Sequence, residues 1–195
     1  GEPPLPTATN DTNSGPFDTD QVISPLTNDS PITAFPFDQT TVKLCASGVS
    51  PPNCVSNQVT TADGVYTVNP NGTVTFNPDP DFTGTVTQPV TYQVTETKTN
   101  GRVASATITP TVGAPPVPVA VPDAQTQPYD TNQTYTPTSN DTSNANFPIT
   151  ATSVKLCASD QTPPACDKLS VTTADGVYTV DPATGNVTFN PDPDF

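Results

Sequence analysis

Four cysteines are the residues best placed to do chemistry in this chain. They fall in two pairs, Cys45 with Cys54 and Cys157 with Cys166, each spanning a Pro-Pro loop, Pro51-Pro52 and Pro163-Pro164. Such a pair can close a local disulfide, hold a metal or remain two thiols. Zinc takes about four ligands, and the chain has no His. A redox pair would be spaced more tightly, as in Cys-x-x-Cys. Each pair therefore reads as a structural disulfide. Closing a loop of this size stabilises by about 3 kcal/mol on the chain-entropy argument, and it implies an oxidising, extracellular setting.

Acidic residues offer a second chemistry. Asp79 and Asp81, with Asp192 and Asp194, sit in two copies of Asn-Pro-Asp-Pro-Asp-Phe. They could bind calcium through oxygen ligands, as could Asp11, Asp18 and Asp20. The same residues also suit turns, where Asp caps backbone amides, and no calcium loop with a closing Glu is visible. Turn chemistry is the preferred reading, so no cofactor is expected beyond calcium as the alternative. Lys43 and Lys155 occupy equivalent strand positions and are candidates for an intramolecular isopeptide bond to Asn or Asp. That bond needs a carboxylic acid in an apolar pocket, and an exposed strand lysine is the plainer reading. Catalysis is not expected. There is no His to serve as a base, and no Ser lies in an elbow motif. Paired carboxylates could hydrolyse glycosides, but these acids recur with the scaffold and belong to it.

The elements that must position these residues are strands. From Val59 to Phe82 the chain reads VTTADGVYTVNPNGTVTFNPDPDF, and it returns from Val171 to Phe195 as VTTADGVYTVDPATGNVTFNPDPDF. Tyr66 and Val68 alternate with Val65 and Thr67, and Val74 and Phe76 with Thr73 and Thr75, a period of two. Asn69-Pro70-Asn71-Gly72 between them is a turn, and the second copy is one residue longer there, where insertion costs least. Further strands are expected at Gln21-Val22-Ile23, at Thr41 to Leu44, at Val90 to Thr95, and from Arg102 to Val112 after an Asn100-Gly101 turn. Inward positions are Val42 and Leu44, then Val90, Tyr92 and Val94, then Ala104, Ala106 and Ile108.

The repeat extends beyond this hairpin. Val42 to Ser47 recurs unchanged as Val154 to Ser159, and Asn28-Asp29 returns as Asn140-Asp141, a spacing of about 112 residues that suits one β-sandwich per copy. The expected fold is all-β: tandem β-sandwich repeats of immunoglobulin- or cadherin-like kind. Residues 1–6 read as a Pro-rich linker, 7–112 as repeat 1, 113–118 as a second linker and 119–195 as repeat 2, which lacks its last strands. The missing strands are expected in the continuation of a longer chain, with donation by another chain as the alternative.

Composition removes several classes of function. With 5 Lys+Arg against 19 Asp+Glu, the net charge of -14 repels phosphates and anionic lipid, so neither nucleic acid nor membrane insertion is expected. The 26 Pro and 10 Gly stay below the roughly 25–30% that marks low-complexity chains.

The runs GVYTVDPATGNVTF, PVTYQVT and ATITPTV together resemble the CshA-type fibril repeat of bacterial surface proteins. The resemblance covers nearly all of repeat 1 and as much of repeat 2 as is present; the Cys pairs depart from its better-known members. It implies a large adhesin linked to the cell wall, whose tandem repeats form a stalk while a separate N-terminal region binds host ligand. The stalk is the expected function, with neighbouring repeats, and other copies in a fibre, as partners. The alternative is that the repeats themselves bind carbohydrate, host matrix or another copy by strand exchange.

Overall fold

The computed structural model describes residues 4–97 and 101–195. Residues 1–3 of the first Pro-rich segment, and Asn100 of the Asn100-Gly101 turn, lie outside the described residues. The chain divides into two units, Gly1–Pro115 and Pro116–Phe195. Helical structure among the described residues is limited to single 3-10 turns at Pro25–Thr27, Pro137–Ser139 and Ala151–Ser153.

The first unit has nine strands among its described residues: β1 (Asp11–Gly15), β2 (Gln21–Ile23), β3 (Phe37–Leu44), β4 (Gln58–Thr60), β5 (Gly64–Val68), β6 (Val74–Pro78), β7 (Gly84–Thr85), β8 (Val90–Glu96) and β9 (Val103–Val112). One sheet runs β1-β9-β8-β3, with β7 also on β9; the other runs β2-β6-β5-β4. The core lies between them. Val42, Leu44, Tyr92, Val94 and Ile108 from the first sheet meet Tyr66, Val74 and Phe76 from the second, all fully buried. Each such side chain contributes about 1.5–3 kcal/mol on burial. Tyr66 and Phe76 stack at 4.7 Å between ring centroids, and their cross-strand pairing fixes the β5–β6 register.

The expected strands form, and the inward residues are the ones expected. β3 is longer than read from sequence, because a register shift between Asp38 and Lys43 lets its first half rejoin β8. Thr41 Oγ1 fills the gap in the ladder: it accepts from Thr95 N–H at 2.9 Å and donates to Asp38 O at 2.7 Å. The β5–β6 turn closes through Gly72 N–H to Asn69 O, 2.9 Å. Gly72 has φ +80°, and a Cβ there would stand 2.8 Å from Gln39 O, so the turn needs glycine for both conformation and clearance.

The second unit forms one sheet among the described residues. Its strands are β10 (Gln133–Tyr135), β11 (Ser170–Thr172), β12 (Gly176–Val180) and β13 (Val187–Pro191), in the order β10-β13-β12-β11. This reproduces β2-β6-β5-β4, with Tyr178 opposite Phe189 as Tyr66 is opposite Phe76. The counterpart of the β1-β9-β8-β3 sheet is not formed among the described residues. Val154 and Leu156 are consequently half-buried, whereas their equivalents Val42 and Leu44 are sealed.

Candidate functional site

Both cysteine pairs are disulfides, Cys45–Cys54 and Cys157–Cys166, each with Cα atoms 4.4 Å apart. In the first unit β8 covers the bridge. Cys45 N–H donates to Thr91 O at 2.9 Å, and Cys54 N–H donates to the buried Gln93 Oε1 at 3.0 Å. Cys54 is thereby 1% exposed. In the second unit Cys157 is exposed and Cys166 half-buried, because no counterpart of β8 covers them.

The Asn-Pro-Asp-Pro-Asp segments are turns. Asp79 N–H donates to Asp63 O and Phe82 N–H to Asp79 O; Asp192 and Phe195 repeat the pattern. Asp79, Asp81, Asp192 and Asp194 all face solvent. Among the described residues no three His, Cys, Asp or Glu side chains gather as a metal site would require. An acidic hollow in the second unit, lined by Asp175, Asp192 and Asp194, marks the place filled in the first unit by the chain before β8. There Asp63 Oδ2 accepts from Thr87 N–H (2.6 Å), Thr87 Oγ1 (2.9 Å) and Gln88 N–H (3.2 Å).

Lys43 is half-exposed and donates to the exposed Asn57 Oδ1 at 2.5 Å, at the surface rather than in an apolar pocket. Lys155 is exposed, and Leu169 stands where the first unit has Asn57. Asp18 and Asp20 are also exposed; Asp20 Oδ1 accepts from Asn77 Nδ2 at 2.5 Å.

Asp11 differs from the other acids. It opens β1, is 6% exposed, and its Oδ2 has no hydrogen-bond partner. Asp29 lies beside it, accepting from Thr9 N–H at 2.8 Å and from the Tyr92 hydroxyl at 2.7 Å. Burial, and secondarily the Asp29 charge, push the Asp11 carboxyl up to about 6. Burial also raises Asp29. Tyr92 is pushed well up, first by burial and then by its bond to Asp29. Sequence reading names Asp11 but misses this partnership. The recurrence of Asn28-Asp29 as Asn140-Asp141 is the available signal: Asp141 Oδ1 accepts from Val121 N–H at 2.8 Å, as Asp29 does from Thr9.

A groove beside the first disulfide is lined by Val49, Val59, Thr60 and Gln88, among others, with no titratable side chain. What the two units share is scaffold: the hairpin, the Asn-Pro-Asp-Pro-Asp turn, the bridge and the Asn-Asp pair. The family model described as "surface adhesin CshA repetitive domain" matches residues 3–112 and again 115–195. No curated protein matches the chain. Two matches in series, spanning nearly the whole length and coinciding with two copies of one strand pattern, place the chain in the surface adhesin CshA repetitive-domain family, as two tandem repeats.

Proposed function

We propose that these repeats are stalk modules of a bacterial cell-wall-anchored adhesin, projecting a separate binding region from the surface. The observation that carries this reading is that the duplicated features are structural ones: paired strands, a disulfide staple and turns. Residues 7–112 and 119–195 act as the modules, with the Pro-rich segments 1–6 and 113–118 as stiff spacers. The high negative charge keeps neighbouring fibres apart, and the disulfides suit an extracellular position. The repeats perform no catalysis.

Deleting repeats from the full adhesin tests this. Ligand affinity of the purified protein should be unchanged, while adhesion of cells displaying the shortened protein falls as the binding region sinks toward the wall. Repeat-only protein that binds the target surface as well as the full adhesin would replace the stalk reading with a binding one.

A further inference from the structure

The two strands at the ends of the first repeat lie side by side and parallel. β1 pairs with β9 in register from Asp11 with Ile108 to Gly15 with Val112. The chain arrives at the first residue of β1 and leaves from the last residue of β9. In a parallel pair these two points face opposite ends of the ladder.

We propose that the β1–β9 pair is a shear clamp that makes the repeat resist end-to-end tension. Tension draws β1 backward from Asp11 and β9 forward from Val112, so the strands must slide past each other. All the bonds between them are then loaded together. Were the terminal strands antiparallel, both pulling points would sit at one end and the bonds would break singly, in sequence. Hydrogen bonds worth about 0.5–1.5 kcal/mol each resist far better when they must break in concert.

Three further contacts reinforce the pair. β9 is held on its other edge by β7, through Gly84 with Val112 and Thr85 with Thr111. Gly113 N–H donates to Gly15 O at 2.9 Å, continuing the ladder past the end of β9. Gln21 Nε2 reaches across to Thr111 O at 3.0 Å, and its Oε1 accepts from Asn13 Nδ2 at 2.9 Å. Ahead of β1 the chain is held by separate contacts: the Thr7–Ser30 bridge, Thr9 N–H to Asp29 Oδ1, Thr107 N–H to Asn10 Oδ1, and Arg102 Nη1 to Pro4 O. They do not form one ladder, so tension loads them one after another before it reaches Asp11.

The Gly113–Gly15 bond also sets which residues of β1 face β9. Alternate residues of a strand point their amides the same way, so Asn13 aims its N–H at β9 and Ser14 aims its N–H away. Proline at position 13 deletes a clamp bond; proline at position 14 does not.

The experiment pulls the full chain in a single-molecule force instrument. One set of molecules is held at the two ends. A second is held at the N-terminus and at Gly101, before β9, so that both pulling points lie at one end of the pair and the bonds unzip. The expected result is an unfolding force several-fold higher for end-to-end pulling. The event is recognised by a released contour length of about 330 Å at ~3.6 Å per residue, because the disulfide hides the loop from Cys45 to Cys54. Reductant should add about 30 Å to that event. Asn13→Pro should lower the end-to-end force markedly and leave the unzipping force unchanged, while Ser14→Pro lowers neither. Equal forces in the two geometries overturn the clamp, as does an Asn13→Pro end-to-end force equal to that of the parent chain. The comparison of geometries needs no mutation, so it stands even if a proline variant fails to fold. The proposal rests on the stalk reading only for its use: a clamp that holds in a protein whose repeats can be deleted without loss of adhesion would sink the stalk and leave the clamp.

Discussion

At the scale of single residues, the informative groups are buried acids. Asp11 holds its proton up to about pH 6 in the folded chain, whereas an ordinary Asp releases it at about 3.9. The folded state therefore binds more protons than the unfolded state between those values. That share of the stability is present at low pH and is lost as pH rises through 6. Asp11→Asn should raise the melting temperature of the first unit by a few degrees at about pH 7.5, and by less at about pH 4.5. Calorimetry at the two pH values checks this; an equal shift at both would remove the burial argument. Asp63 works by a different means. Asp63→Ala strips the acceptor from two backbone N–H groups and a hydroxyl, and should cost about 2–3 kcal/mol in urea unfolding. Asp175→Ala, its counterpart, should cost almost nothing in this chain, because no segment equivalent to Thr87-Gln88 reaches Asp175. Asp63 is invisible as a buried acceptor from sequence, since its donors lie more than twenty residues away, on Thr87 and Gln88.

Elements show what was legible and what was not. β5, β6, β8 and β9 could be read because each buries one face, and burial writes a period of two into the chain. β1 could not. Its residues, Asp-Thr-Asn-Ser-Gly, have neither an apolar face nor high strand propensity. It is a strand because β9 offers it an edge, which is a matter of context rather than composition. Parallel pairing between the chain's early and late segments likewise leaves no local mark. β7 was missed for the same reason: two exposed residues, Gly84 and Thr85, paired only through β9. The disulfides were legible from spacing, but their different burial was not, because Gln93 and Thr91 that seal the first come from a distant strand. Replacing both Cys45 and Cys54 by Ser should destabilise the first unit by about 3 kcal/mol, measured by denaturant titration against the oxidised parent.

For the whole molecule, the contrast between the units is a contrast in completed layers. The first has two sheets enclosing a core; the second has the one that matches β2-β6-β5-β4. Appending a copy of residues 83–112 after Phe195 should supply the β7–β9 strands, bury Val154, Leu156 and the second disulfide, and bring the second unit's melting temperature close to that of the first. Thermal melts followed by near-ultraviolet circular dichroism would show two transitions merging; an unmoved lower transition would mean that the graft fails to dock. In the first unit, Pro4 lies against Arg102 just before β9 and Gly15 against Gly113 just past its end, so the chain enters the module at one end of β9 and leaves it at the other. Ten residues of β9 span about 33 Å at ~3.3 Å each. On the proposed stalk reading, gene duplication would act as a ruler, since each copy gained or lost would change the reach of the stalk.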